Sequence, residues 1–281
     1  MVNAMNSDHL LDDKSAESAC LQSLTCRLPE GARIKVIGLG GVGSILLEYL
    51  AIFLRSLQQP LRLVLIDGDN FESRNAERMK FTSLGKKADV KTQEATDLLA
   101  GSQVGVVAVP EYVGIDNIQR LIRDGDAVFL CVDNHQTRRL VAEHCQTLSN
   151  VALFSGGNDG VEPPHRRGTY GNAQMHFRVE GRDVTMPITK LHPEIRNASG
   201  DLPGGPNCGQ MSESSPQILM ANLAVASHLL NMFFAWSCGA LTYQELQFDI
   251  LEGRAVACFP LQAPVGLPAP SANPSAETGV G

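Results

Sequence analysis

Apolar residues in the first half of the chain fall into short unbroken runs separated by amphipathic stretches. The runs at 34–37, 61–66, around Val106, at 127–132 and around Ala152 have the length and branching of buried strands. Residues 44–56 and the stretches around Ala95, Ile118 and Val141 repeat at helical spacing instead. Strand and helix alternate in this way to about Asn150, which is the order of a parallel sheet carrying helices on both faces. The pattern then changes. Residues 169–179 alternate and 244–259 read as further strand, so a smaller antiparallel extension of the same domain is expected. Between them, 217–236 is a strongly apolar helix of near membrane-span length. Asn222, His228 and Asn231 interrupt it and no basic flank follows, which predicts a buried or dimer-interface helix rather than a span.

Chemistry enters at the exit of the first strand. Gly38, Gly40, Gly41 and Gly43 stand in the run Gly38-Leu39-Gly40-Gly41-Val42-Gly43, which has the Gly-x-Gly-x-x-Gly spacing between a strand and a helix. Without a Cβ the main chain can approach a phosphate closely, and the N–H groups and dipole of the helix start favour the anion. The next strand ends on Asp67, about 20 residues past the glycines, where an acceptor for ribose hydroxyls is expected. These features predict an α/β fold: a Rossmann-like, mostly parallel sheet with helices on both faces and a small antiparallel extension. They do not choose among dehydrogenases, flavoproteins and adenylating enzymes.

The residues that follow do choose. Asp67-Gly68-Asp69 leads through Asn75 to Arg78, and a helix running to about Leu99 carries Lys86, Lys87 and Lys91 near its start. A dehydrogenase leaves its cofactor's pyrophosphate intact, whereas an enzyme that splits the α–β bond of ATP must neutralise charge developing on the phosphates. Arg78 and Lys91 suit that task; Lys86 and Lys87 read as a solvated helix face. Asp133 ends the apolar run Ala127-Val128-Phe129-Leu130-Cys131-Val132, which places it in the same crevice as Gly40 and Asp67. A carboxylate there can hold Mg²⁺ against phosphate oxygens. Asp133 or Asn134 can also cap the helix that follows.

The ordered set Gly38-x-Gly40-Gly41-x-Gly43, Asp67-x-Asp69, Asn75-x-x-Arg78, Lys91 and Cys131-x-Asp133-Asn134-x-x-Thr137-Arg138 resembles the ubiquitin-activating enzyme superfamily, with its ThiF-like and MoeB-like adenylyltransferases. The similarity covers roughly residues 33–150 by motif and 217–259 by layout. It implies ATP-dependent adenylation of the C-terminal glycine of a ubiquitin-like or sulfur-carrier protein, with ATP and Mg²⁺ as cofactors. It also implies that Asp67 binds ribose, that Asn75, Arg78 and Lys91 contact phosphates, that Asp69 and Asn134 line the nucleotide site, and that Asp133 serves the metal. Relatives place the apolar helix in a homodimer core, so self-association is expected.

Departures from the family pattern shape the remaining expectations. The seven cysteines form no Cys-x-x-Cys pairs, so no zinc is expected. The N-terminal Arg-Tyr-x-Arg-Gln signature, which in relatives sends an arginine to the partner subunit's site, is missing; Arg27 or Arg33 could substitute. Met79 replaces the glutamine that usually follows the phosphate-binding arginine. A Pro- and Gly-rich segment at about 186–214 cannot form a regular helix or central strand, and it matches in position the family's crossover loop over the partner's tail. Cys208 lies in it, just ahead of a helix start that would lower a thiol pKa. This suggests a thioester to the partner's glycine before transfer to a conjugating enzyme. An incidental loop cysteine is the competing reading. Cys131 and Cys145 read as packing.

Length and charge narrow the alternatives. A chain of 281 residues with 43% apolar content can bury one large core. Residues 1–30 read as a polar extension, 31–262 as the adenylation domain, and 263–281 as a disordered Pro, Ala, Gly and Ser tail. The N-terminus has no apolar signal core and the cysteines form no framework, which leads us to expect a cytoplasmic protein. The formal charge of −7 disfavours a nucleic-acid face, although His165-Arg166-Arg167 is a local basic patch, and no membrane partner is expected. It also disfavours a tRNA-modifying dehydratase. A sulfur-carrier adenylyltransferase without a thioester step remains open. An NAD-dependent oxidoreductase would leave Arg78, Lys91 and Asp133 idle, and a silent scaffold would be betrayed by substitutions at those positions. No histidine receives a role.

Overall fold

Branched apolar runs and amphipathic stretches assemble, in a computed structural model, as a single large sheet between two layers of helices. The structure describes residues 24–77, 79–162, 166–200, 202–203 and 218–267. The main strands in chain order are β1 (Arg33–Ile37), β2 (Leu61–Ile66), β3 (Val104–Val109), β4 (Asp126–Leu130) and β5 (Val151–Asn158), followed by β6 (Tyr170–Val179), β7 (Leu241–Asp249) and β8 (Arg254–Val265). Across the sheet they run β8-β7-β6-β5-β4-β1-β2-β3, with the short strand Arg182–Asp183 paired to β6. Pairs among β1 to β5 are parallel; β5–β6, β6–β7 and β7–β8 are antiparallel. This is the expected α/β sheet with its antiparallel extension.

The helices are α1 (Gly41–Ser56), α2 (Lys87–Leu98), the one-turn α3 (Ile118–Leu121), α4 (His135–Cys145), the one-turn pair α5 (Ile188–Leu191) and α6 (Pro193–Arg196), and α7 (Leu219–Ser237). One face is covered by α1, α2 and α7. Its centre is aromatic: Phe129 stacks on Phe154 at 5.2 Å between ring centroids, and Phe233 and Trp236 close on the pair at 5.1 and 5.5 Å. The other face, under α3 to α6, is aliphatic and includes Ile37, Ile66, Leu130, Val141, Ile188 and Ile195. Every residue of β4 is buried, as a strand covered on both faces requires. Cys131 and Cys145 belong to these cores, and burial pushes both thiols up to about 12.

Three sequence expectations are corrected here. The 186–214 segment contains α5 and α6. Pro193 does not break helix there but opens one, at the first-turn position where its missing N–H costs nothing. Strand β8 continues through Val265, so residues 263–265 are sheet and not tail. Residues 24–30 are not merely a polar extension: Leu28 is buried, and the Arg27 N–H donates to Ser237 O at 2.8 Å. Helix α7 is long and apolar enough to cross a membrane by composition, yet it lies against β5, β6, β7 and α1 with Trp236 and Phe233 in the core.

At the amino ends of the strands Asp126 is fully buried between Arg33 Nε (2.6 Å) and Lys35 Nζ (2.7 Å). Burial lowers the Lys35 pKa, and Asp126 is the charge that opposes the shift. Asp126→Asn leaves a desolvated ammonium uncompensated, so it should destabilise the fold by about 3 kcal/mol in urea unfolding.

Candidate nucleotide-binding site

The chain visits β1, β2 and β3 on one side, then returns to place β4 and β5 on the other side of β1. A crevice therefore opens beyond the carboxyl ends of β1 and β4, where loops leave in opposite directions. Residues 38–43 occupy one wall. Gly38 turns at φ +88, and a Cβ there would lie 2.9 Å from the Cys131 carbonyl. At Gly43 a Cβ would sit 1.9 Å from Gly38 O, whereas at Gly40 it would meet nothing within 4 Å. Gly38 and Gly43 thus close the loop on itself, and Gly40 leaves open space in front of it. Gly40 is the N-cap of α1 and Gly41 its first residue, with no side-chain cap and no acid in the first turn. The helix dipole and free N–H groups are left for an anion.

Asp67 joins this loop to the next one. Its Oδ2 accepts Leu39 N–H at 2.6 Å and its Oδ1 accepts Asp69 N–H at 2.8 Å. Burial raises its carboxyl pKa, against the pull of Lys87 and of these N–H groups. A carboxylate has further lone pairs, so Asp67 is oriented without being saturated. Burial by itself would also raise Asp69, but the Tyr112 hydroxyl and the Lys87 ammonium hold it below the usual range. Tyr112 packs so tightly that a Cβ on Gly68 would lie 2.5 Å from its ring.

Lys87 is the residue that sequence reasoning missed. It is 8% exposed, not part of a solvated face, and its Nζ lies 2.9 Å from Asp69 Oδ2. Lys86 stays on the surface as expected, donating to Gly68 O at 3.0 Å. Lys91 is also buried, but its ammonium is spent on Glu94 Oε2 (2.7 Å) and Lys80 O (2.6 Å), above the Phe71 ring. Asn75 is buried, and its Oδ1 accepts the Glu72 N–H at 2.8 Å, closing the turn. Met79 packs with Phe71 and Val90 in a small separate core. Arg78 lies outside the described residues, as does Cys208.

The opposite wall follows β4. Asp133 is exposed, and Asn134 caps α4 by accepting Thr137 N–H at 2.7 Å. Arg138, one turn into that helix, is buried. It donates to Val132 O (3.0 and 2.7 Å), Ser155 Oγ (3.0 Å) and Gly156 O (2.7 Å), so one guanidinium fixes the loop that carries Asp133 against β5. Arg27 and Arg33 sit at the far, amino end of the sheet, bonded to Leu267 O and Asp126 of their own chain. Among the described residues no group of three or more His, Cys, Asp or Glu side chains could hold a metal. A lone Asp133 still suits Mg²⁺, which commonly takes one or two carboxylates and completes its shell with phosphates and water.

Comparison with known proteins agrees with this fold. The ThiF family model matches residues 26–263. The chain is 34% identical over 116 residues to the mouse adenylyltransferase and sulfurtransferase MOCS3, covering 41% of this chain and 24% of that protein. It is 31% identical over 153 residues to the molybdopterin-synthase adenylyltransferase of Salmonella typhimurium, covering 54% of this chain and 59% of the relative. The chain thus spans less than two thirds of the length of either. Among solved structures, E. coli MccB with ATP superposes at a TM-score of 0.56 with 15% identity, covering 85% of this chain and 67% of MccB. MccB in complex with N-formylated MccA gives 0.56 and 17%, over 84% and 66%. Identities this low speak to the fold alone.

The glycines separate fold from ligand. Gly43→Ala collides with Gly38 O and should lower the unfolding free energy by at least about 2 kcal/mol, and the melting temperature with it. Gly40→Ala meets open space, so it should leave thermal unfolding unchanged while weakening a fluorescent ATP analogue. Equal effects of the two changes on melting would refute the division of labour.

Proposed function

The chain belongs to the ThiF family, and from that premise we propose that it is an adenylyltransferase activating the C-terminal carboxylate of a small protein partner with ATP. The observation that carries this reading is Lys87, a buried ammonium 2.9 Å from Asp69 on the rim of the glycine crevice. Lys87 balances Asp69, and a cation on this rim can also meet charge developing on a departing pyrophosphate, which a dinucleotide-binding enzyme does not generate. The partner is a sulfur-carrier or ubiquitin-like protein ending in glycine; the names of the mouse and Salmonella relatives favour the sulfur-carrier kind.

In this mechanism Asp67 accepts the ribose hydroxyls and the N–H groups from Gly40 onward receive the phosphates. An oxygen of the partner's terminal carboxylate bonds to the α-phosphorus. The bond from that phosphorus to the α–β bridging oxygen breaks, and pyrophosphate leaves with the electron pair. Lys87 neutralises the leaving group together with Arg78. Asp133 would hold Mg²⁺, which supplies charge compensation on the phosphate oxygens. Lys91, tied to Glu94 and Lys80 O, holds the 71–80 loop in place, and Asn75 and Asn134 do the same for their turns. A following transfer to Cys208 rests on its sequence position: its thiolate attacks the acyl carbon and AMP departs.

ATP–pyrophosphate exchange in the presence of glycine-ending carrier proteins reads the first step. Lys87→Ala should cut exchange by about 100-fold through lost transition-state charge stabilisation. Lys91→Ala should act mainly through stability, with exchange per folded molecule reduced less than Lys87→Ala reduces it. The reverse ranking would return the phosphate role to Lys91. Cys208→Ala should keep exchange and lose any dithiothreitol-sensitive carrier adduct; an adduct that persists removes the thioester step.

Self-association belongs to the same reading. Tyr49 and Ile52 on α1 and Leu223 and Phe234 on α7 are exposed on helices that pack together, with Phe53 and Phe234 in edge contact at 6.0 Å. Two copies are expected to meet on this face, and Phe234→Glu should give a monomer in sedimentation velocity.

A further inference from the structure

Away from the glycine loop, the α5–α6 stem is tied to the antiparallel part of the sheet by a single imidazole. His192 stands between the two helical turns. Its Nε2 lies 3.0 Å from Glu245 Oε1 on β7, and its Nδ1 lies 2.8 Å from Glu194 Oε1 on α6. Glu245 is 1% exposed and also receives the Asn172 amide at 2.8 Å. Ionised carboxylates only accept, so a ring nitrogen facing one donates to it; the Asn172 amide nitrogen also lies 3.3 Å from Nε2, but its shorter contact, 2.8 Å, is to Glu245 Oε1. Only the imidazolium has two N–H groups; a neutral ring turns a lone pair toward one carboxylate.

The stem lies beside the crevice. Gln136, in the first turn of α4 just after Asp133 and Asn134, donates to Ser199 O, and a Cβ on Gly200 would lie 2.8 Å from the same amide. In sequence the stem belongs to the 186–214 segment matched above to the crossover loop, and the chain runs on from it toward Cys208.

We propose that His192 is a positioning residue: as an imidazolium it clasps Glu245 of the sheet to Glu194 of α6, setting the stem in the place from which the partner's tail is received. The inference rests on the adenylation reading for what the stem receives, but not for the clasp itself. Burial alone would lower the His192 pKa; Glu245 first and then Glu194 outweigh it and hold it above the usual histidine value. The groups facing this cluster are Asn172 and Tyr170 on β6, Gln247 on β7, Cys258 on β8, and His135 and Arg138 on α4. A raised histidine pKa gives a contribution that is complete below the unfolded value and disappears as pH climbs through the folded one. The stem therefore loosens toward alkaline pH.

Hydrogen exchange on the full chain tests this without reference to any substrate. The amides of Lys190, His192, Ile195, Arg196 and Asn197 are bonded within the stem and are the reporters. After correction for intrinsic rates, their protection should fall by about tenfold between pH 6 and pH 9, the worth of one charge-assisted bond. In His192→Gln it should be low at both pH values. An NMR titration of the wild-type His192 ring decides the point where that variant folds poorly: a midpoint at or below the ordinary value overturns the clasp, as does pH-independent protection in the wild type. The functional arm compares KM values. His192→Gln should raise KM for the carrier about tenfold, as wild type does at pH 9, and leave KM for ATP unchanged. Equal effects on both overturn the positioning role. Exchange with no carrier at all would sink the adenylation reading, while the amide data would still decide the clasp.

Discussion

The carboxylate of Asp67 is the interaction on which the crevice depends. It is the first residue after β2, and it accepts an N–H from the glycine loop and another from the loop that follows it, at 2.6 and 2.8 Å. Two loops leaving neighbouring parallel strands would otherwise be independent. One buried acceptor makes them a single wall, and the same chain direction then delivers Asp69 to Tyr112 and Lys87. The arrangement is costly, because burial opposes the charge on both Asp67 and Asp69. Tyr112 and Lys87 offset that cost for Asp69. Among the described residues Asp67 accepts hydrogen bonds from backbone amides alone, which leaves it acceptor capacity.

Much of this wall was legible in the sequence because it is local. Strand, glycines and helix succeed one another within residues 33–56, and each requirement of the turn is visible as a missing Cβ. Asp67 and Asp133 were legible for the same reason, each ending an apolar run. The lysines were not. Lys87 and Lys91 are one helical turn apart on the buried face of α2, so periodicity cannot tell which reaches the crevice. The answer is set by the antiparallel pairing of Asn70–Phe71 with Gly85–Lys86, which brings Lys87 N–H to Asp69 O at 2.9 Å. It is set also by Glu94, three residues past Lys91, which takes that ammonium away. His192 was illegible on the same grounds, since Glu245 lies 53 residues further on in a different strand.

The antiparallel extension has a function beyond enlarging the core. Strand β5 runs three residues past the last residue it shares with β4, and over that length it pairs with β6 alone. The sheet therefore rises beside the crevice as a wall whose side chains include Asn172 and Glu245. A parallel strand could not do this without a further crossover helix, because its carboxyl end would stop level with its neighbours. The low-exposure polar residues of this wall would be a liability in an ordinary core. Here Asn172, Glu245 and His192 satisfy one another across elements, whereas Gln174 Oε1 and Asn158 Oδ1 are buried without a partner among the described residues.

Arg138 links the two walls. Its guanidinium spans from Val132 O, in the loop bearing Asp133, to Ser155 and Gly156 O on β5, where the antiparallel rise begins. Glu194 and Asp133 both act on it electrostatically. A lysine offers three rotatable donors from a single atom, whereas a planar fork meets carbonyls on two elements at fixed separation. The orientation of the Asp133 loop relative to the sheet is thereby determined by the covalent geometry of one side chain. Anything seated against the β5–β6 wall would press on the same element that sets the Asp133 carboxylate, so the two sides of the crevice are mechanically joined through Arg138.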